Sequence, residues 1–371
     1  MNNGQTQPDL DLHGYTLLPG LIEAHAHFFL EGGELNAEKR KEYLRKKPDE
    51  FLREAHTRLE KVLRIGVIAV RDAGDKEGVG LSLSKLYMSG KKPVMPYVDS
   101  PGAAIYRQGR YGSFMADPIE NFASLQDCVR QRIALGADRI KLIPTGIINF
   151  KKGEVTAEPQ MTTEEVRILV EAAKEFNRQT FAHASGDAGI ERAIEGGVDS
   201  VEHGFFLRDD QLSRMRDRQI AWVPTFAPVQ EQVDHADVMG WGDGIVSNLK
   251  RILDQHSSSL VKAEKMGVQV IAGSDAGSCG VAHGLGLLYE LELMERAGMP
   301  ALSVINAATG NSSARLGYKE KFGQIKPGYK SRFIITEHNP LERVSNLRKD
   351  KQVVFDGMVY ESKSNADPAG L

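Results

Sequence analysis

Cysteine is nearly absent from this 371-residue chain, with only Cys128 and Cys279 present. Two thiols are too few for a disulfide framework or a thiolate metal site, so any metal here must rest on nitrogen and oxygen. Long apolar runs are missing as well, since no stretch approaches the roughly 18 residues that a membrane span requires. The first residues, Met1 to His13, lack the basic, apolar and small-residue order of an export signal. A cytoplasmic protein is the expectation. Excess charge of one sign is also lacking: a net charge of -3 offers no electrostatic case for nucleic acid or an anionic membrane. What remains, 41% hydrophobic and 26% charged, suffices for one large core with a small appendage.

The chain alternates short β-rich runs with longer helical patterns, the signature of successive βα units around a parallel sheet. Strands are expected near Leu17 to Glu23, Val67 to Arg71, Val94 to Val98, Arg139 to Ile143, Thr180 to His183, Ser200 to Glu202, Ala221 to Pro224 and Val268 to Ala272. Helical spacing marks Pro48 to Arg64, Asn121 to Leu135, Thr162 to Asn177 and Ile245 to Lys265. Thr162 and Glu165 form a capping-box pattern. Eight such units predict an α/β fold of the (β/α)8 TIM-barrel type over residues 17–320, with an open doubly wound sheet as the alternative. Past Gly323 the pattern changes to hairpin material with Asp356-Gly357 as the turn. Residues 1–16 and 321–371 are expected to form a small β-sandwich appendage.

His25 and His27 follow an apolar strand one residue apart, so both project to one face, where two neutral imidazoles suit a transition metal. Reading the other strand ends adds Lys141, His183, His203 and Asp275. Six such residues on five strand ends point to one rim, the face where barrel active sites sit. The long connections Phe28 to Lys47, Ser100 to Ile119, Pro144 to Gln160 and Thr225 to Gly244 rise from that same face.

Five stretches carry a family resemblance: Leu18-Pro19-Gly20-Leu21-Ile22-Glu23-Ala24-His25-Ala26-His27, Ile140-Lys141, Phe181-Ala182-His183-Ala184, Val201-Glu202-His203-Gly204 and Gly273-Ser274-Asp275-Ala276. With Ala307-Ala308-Thr309-Gly310-Asn311 and Gly323 to Lys330, they make the chain resemble the amidohydrolase superfamily of metal-dependent hydrolases, most closely its prolidase-like branch. The resemblance implies two divalent metal ions, zinc by default with manganese, iron or cobalt also suited. His25, His27 and Asp275 would bind the first, His183 and His203 the second, and Lys141 would bridge them as a carbamate made with carbon dioxide. An ammonium cannot ligate a cation, whereas a carbamate offers two anionic oxygens. A lysine paired with an acid, or an electrophile beside a single metal, is the other reading of Lys141. Asp275 is expected to take the proton from an attacking, metal-bridging hydroxide or water and pass it to the leaving nitrogen; its plainer role is a helix cap.

The branch cleaves dipeptides and N-acyl amino acids, so a small-molecule substrate with a carboxylate is implied. Tyr106, Arg107, Arg110 and Tyr111 in the third loop are the candidates to hold it. That loop reads Gly109-Arg110-Tyr111-Gly112 where the branch usually has Gly-His-Gly, which leaves Tyr111 or Arg110 to polarise the substrate carbonyl. His283 would contact substrate or orient Asp275, unless it is an ordinary histidine at a helix start. Another amide, a cyclic amide, a carbamate or a lactone is the alternative substrate. A mononuclear deaminase or imidazolone-type ring hydrolase, and a barrel scaffold without catalysis, are the alternative functions. The short segment before the first barrel strand implies a reduced sandwich whose open edge invites a homo-oligomer.

Overall fold

The computed structural model describes residues 11–90 and 94–363. Its strands are β1 (Thr16–Pro19), β2 (Leu21–Ala26), β3 (Val67–Asp72), β4 (Tyr97–Asp99), β5 (Ala104–Tyr106), β6 (Ala116–Pro118), β7 (Ile140–Leu142), β8 (Thr180–Ala184), β9 (Ser200–His203), β10 (Ala221–Val223), β11 (Arg332–Thr336), β12 (Lys351–Phe355) and β13 (Met358–Ser362). They form two parallel sheets, ordered β2-β3-β4 and β10-β9-β8-β7-β5-β6, and one antiparallel sheet, ordered β1-β11-β12-β13. No helix among the described residues is long and apolar enough to cross a membrane.

The sequence pattern runs Leu17 to Glu23 as one strand, and the molecule cuts it at Gly20. The Gly20 amide donates to Arg332 of the antiparallel sheet at 3.1 Å, while the next amide, Leu21, donates to Gly66 beside β3 at 2.8 Å. A Cβ at Gly20 would lie 2.3 Å from Ile68 Cγ2, so only glycine lets the chain pass and change sheets. Asp9 and Leu10 lie outside the described residues, and Asp11 to Tyr15 form no strand.

The two parallel arcs are joined by hydrogen bonds at both gaps. Trp222 N donates to Gln269 O and Ile271 N donates to Trp222 O, each at 2.9 Å, and Ala24 N then donates to Ala272 O at 2.9 Å. On the far side Asp138 N donates to Ser100 O at 2.8 Å. The eighth expected strand, Val268 to Ala272, is therefore present as a linking segment but holds only an isolated bridge at Val270. Helix ends interrupt its ladder: Ala272 N donates to Ala307 O and Ile22 N to Ala308 O.

Helices follow the strands in alternation. The helix Pro48–Ile65 shows why: Phe51, Ala55, Leu59, Val62 and Leu63 make one buried face, Pro48 opens it and Gly66 at φ 108° ends it. The helix expected from Asn121 starts later, at Leu125, because Ser124 accepts from Asp127 N as its cap. Thr162 and Glu165 do close a capping box, with Oγ1 accepting at 3.2 Å and the carboxylate at 2.8 Å. Asp356 and Gly357, both at positive φ, form the two-residue turn between β12 and β13.

The interior between the arcs is apolar below and charged above. Phe181 is fully buried on the face of its strand that carries His183, and against it lies the buried guanidinium of Arg71. Arg71 covers the Phe181 ring at 4.4 Å and donates to Ala24 O, Ser200 Oγ and Glu202 Oε2 at 2.6, 3.0 and 2.7 Å. Burying this ion pair is costly unless its donors and acceptors are met, and here they are.

Candidate metal centre

Strand alternation places Glu23, His25 and His27 on one face, and each is tied down. Glu23 Oε1 accepts from His25 N at 3.1 Å and from Ser274 N at 2.9 Å, while Oε2 accepts from Ser274 Oγ at 2.6 Å. One carboxylate thus joins the first strand to the turn carrying Asp275. Gly273 completes the approach, since a Cβ there would meet His25 N at 2.8 Å.

The imidazoles are held by their Nδ1 atoms. His25 Nδ1 lies 2.6 Å from Glu202 Oε2, and His27 Nδ1 lies 3.1 Å from Gly74 O. A carbonyl and a carboxylate that already takes Arg71 can only accept, so both Nδ1 atoms carry the proton and both Nε2 atoms present a lone pair. Each Nε2 stands 3.6 Å from Asp275 Oδ1. That is too long for a hydrogen bond. It is close to the roughly 3.3 Å that separates two ligands around one tetrahedral zinc. His25 Nε2 is buried with no hydrogen-bond partner, a defect that a cation would relieve. His25, His27 and Asp275 form the one such three-ligand cluster among the described residues.

His183 ends β8 and His203 ends β9, with ring centroids 4.5 Å apart and His203 5.1 Å from His25. His183 Nε2 contacts Gly146 O at 3.2 Å, which leaves Nδ1 free to ligate; His203 Nδ1 contacts Thr225 Oγ1 at 2.7 Å, which leaves Nε2. Ser200 Oγ donates to Glu202 at 2.5 Å, so Glu202 faces the interior and alternation would turn His203 outward. A left-handed backbone at His203, φ 65°, brings its ring back beside His183. Asp275 has the same kind of backbone, φ 55°. Strain of this kind at functional positions is held by the surroundings.

Lys141 projects from β7 into the same interior and is almost wholly buried. Burial lowers its pKa to about 8 against the pull of Asp275, Glu202 and Asp72. Burial first, and the Lys141 charge next, lowers His25 and His27 well below the usual imidazole range, and lowers His183 to about 4. Burial together with the neighbouring imidazoles does the same to His203. All four rings are neutral at pH 7, the ligating state. Burial raises Asp275 to about 6, opposed by Lys141 and by the Ser278 hydroxyl, which donates to Oδ2 at 2.9 Å.

His27, Lys141, His183, His203 and Asp275 floor a cavity of about 440 Å³, with His25 buried behind them. Tyr111, Phe114, Ile148, Phe150, Phe205 and Val229 line its sides, and Leu44 and Ile147 stand at its half-open mouth. Of the third-loop residues expected to hold substrate, Tyr111 alone lines the cavity, its ring 5.2 Å from that of His183. Burial and Asp275 push its phenol upward, so the hydroxyl stays protonated. Tyr106 is buried in β5 and faces elsewhere. Arg107 is drawn to the helix behind, with ion pairs to Glu165 at 2.5 Å and Glu120 at 3.2 Å. Arg110 turns outward and donates to Glu158 O. His283 also stands off the cavity: it bonds Leu30 O at 2.9 Å and lies against Phe28. Residues that the sequence pattern does not flag complete the site, namely Glu202, Thr225, Arg71 and the carbonyl of Gly74. Glu202, directly before His203, is the only one with a local signal.

Comparison with known proteins agrees with this geometry. The Amidohydrolase family model matches residues 16–359. The ochratoxinase of Aspergillus niger is 30% identical over 270 residues, which cover 70% of this chain and 53% of that protein, so the chain spans about half the length of this curated relative. A crystal structure of a Xaa-Pro dipeptidase with methionine bound in its active site is 29% identical, with a TM-score of 0.81 over 98% of this chain and 91% of that one. The crystal structure of A. niger ochratoxinase is 26% identical, with a TM-score of 0.74 over 95% of this chain and 85% of that one. The match over nearly the whole described chain settles the lineage: the protein belongs to the amidohydrolase family, in its prolidase-like branch.

Proposed function

We propose that the chain is a metal-dependent hydrolase acting on C–N bonds, and that it cleaves the amide of a dipeptide or N-acyl amino acid. The observation that carries this reading is the buried, unpartnered His25 Nε2 facing Asp275, beside His183, His203 and Lys141 at the floor of an apolar cavity. His25, His27 and Asp275 would hold one divalent cation and His183 and His203 a second, with Lys141, as its carbamate, common to both. Cations bound there lower the pKa of a water and polarise an amide carbonyl.

The remaining chemistry falls to side chains. Asp275 takes a proton from the attacking water through its carboxylate and returns it to the leaving nitrogen. Ser278 holds Oδ2 and leaves Oδ1 toward the imidazoles. Tyr111 lines the cavity beside His183 and would donate its phenolic proton in a hydrogen bond to the carbonyl oxygen as charge builds there. The walls exclude water from the amide.

In the same reading the two arcs and the Val268 to Ala272 segment close as a (β/α)8 barrel over residues 17–320, and the antiparallel sheet belongs to a small β appendage. Two free cysteines suit a reducing cytoplasm.

Metal analysis together with a panel of dipeptides, N-acyl amino acids, cyclic amides and lactones tests the proposal. About two metals per chain and cleavage of N-acyl amino acids or dipeptides are expected, with Lys141→Ala retaining about one metal and losing activity by two orders of magnitude or more. A single-metal enzyme is the competing reading, favoured by the fact that among the described residues only His25, His27 and Asp275 already cluster. One metal in the active wild type, with activity surviving Lys141→Ala, would establish it instead.

A further inference from the structure

Only two cationic side chains line the cavity among the described residues, Lys141 at the floor and Arg40 on the side. Arg40 sits in the helix Ala37–Tyr43, whose start is capped by Asn36. Its Nη1 donates to Glu31 O at 3.0 Å and to Glu34 O at 3.5 Å, and its Nη2 donates to Gly277 O at 2.8 Å. All three are main-chain carbonyls.

Such contacts fix a guanidinium without neutralising it. Among the described residues no carboxylate lies within ion-pair reach of Arg40, whereas Arg58, Arg71, Arg107 and Arg139 each have one. The Glu34 carboxylate is paired with Lys39 at 3.4 Å, and Glu31 and Asp275 feel the Arg40 charge only from beyond ion-pair distance. A guanidinium has five donors in a planar fork, and the bonds to carbonyls leave part of that fork uncommitted. Arg40 is also anchored to Gly277, two residues beyond Asp275, so it stands over the turn that supplies the proton-transfer group.

The surrounding chemistry defines a ligand with two parts. Tyr111, Phe114, Phe150 and Phe205 call for a bulky apolar or aromatic body. An unneutralised arginine on an apolar wall calls for one anion. We propose that Arg40 clamps the free α-carboxylate of the substrate, and that the substrate is an N-acyl amino acid with large apolar groups rather than a neutral amide or urea. The role expected of the third-loop arginines thus falls to the first loop. This inference rests on the amide-cleaving reading above.

Binding of 4-phenylbutanoate and of the neutral 4-phenylbutanol to the metal-loaded enzyme tests it by calorimetry, since neither probe contains an amide. The wild type is expected to bind the acid at least tenfold more tightly than the alcohol. Arg40→Met, and Arg40→Gln, which keeps donors for the carbonyls, should each weaken the acid about 10- to 100-fold and leave the alcohol within about twofold. No preference in the wild type, or a preference that survives both variants, overturns the clamp. Equal weakening of acid and alcohol in both variants also overturns it, because that reports collapse of the first loop. An Arg40-dependent preference in an enzyme that cuts no amide keeps the clamp and removes the hydrolase reading. Cleavage of amides with an Arg40-independent preference does the reverse.

Discussion

The two halves of the site are built differently. In the half made by His25, His27 and Asp275, each imidazole is fixed by a strong acceptor and the three donor atoms already converge. In the half made by His183 and His203 the rings adjoin, and among the described residues no carboxylate forms a close pair with either. One half has its donor atoms together as folded; the other, on the proposed reading, would be completed by the carbamate of Lys141. The difference predicts unequal affinities, and each of the following tests probes one side of it.

Asp275→Asn strikes the complete half and should have the largest effect. On the proposed reading it removes both a ligand and the proton acceptor, so kcat/KM on the best N-acyl amino acid is expected to fall by about 10³-fold, within the span of general-base losses. Metal content should drop with it. An asparagine enzyme within tenfold of wild type would remove Asp275 from the chemistry.

Glu202→Gln acts one layer back. The amide cannot match the carboxylate at His25 Nδ1, and metal affinity of the complete half should fall about 10- to 100-fold in a chelator competition. Stability should fall as well, by about 3 kcal/mol, because Arg71 is left as a buried unpaired charge. Unchanged metal affinity in folded protein would show that His25 needs no such support.

Thr225→Val makes the matching change in the weaker half by removing the hydroxyl 2.7 Å from His203 Nδ1. One hydrogen bond, about 1 kcal/mol, should weaken the second metal roughly fivefold and spare the first. Loss of both metals together would make the halves a single unit and erase the contrast.

The smallest effect on the site comes from outside it, at buried His256, which stacks on Phe205 4.0 Å away and contacts Pro224 O at 2.9 Å. Burial lowers it to about 3. Folded and unfolded states are both neutral there above pH 6.5. Between 6.5 and 3 only the unfolded state gains the proton, so stability falls as pH falls, by about 1.4 kcal/mol per pH unit, and levels off below 3. Denaturant melts of wild type and His256→Gln should therefore draw together at that rate below pH 6.5. Parallel curves would place the titration elsewhere.

The convergence of these residues was legible in the sequence because strand periodicity acts over one or two residues: His25 and His27 share a face by geometry alone. What holds them was not, since Glu202 reaches His25 across 177 positions and Gly74 acts through a carbonyl that every residue owns. The substrate loop misled for a related reason. Arg107 and Arg110 are in the expected region, but Glu165 and the Glu158 carbonyl, each dozens of residues away, decide where they point. Arg40 went unnoticed because a cavity wall is assembled from several loops at once. The expected strand at Val268 to Ala272 is a milder case, in which residue type was right and the ends of neighbouring helices took its ladder partners.

The left-handed backbones at His203 and Asp275 set durability against activity. A β-carbon at such a φ costs on the order of 1 kcal/mol that glycine does not incur. Glycine at either place would make a hardier protein with no ligand there. If the two residues hold metal as proposed, a stabilising programme has to keep both positions fixed although glycine would relax their backbone.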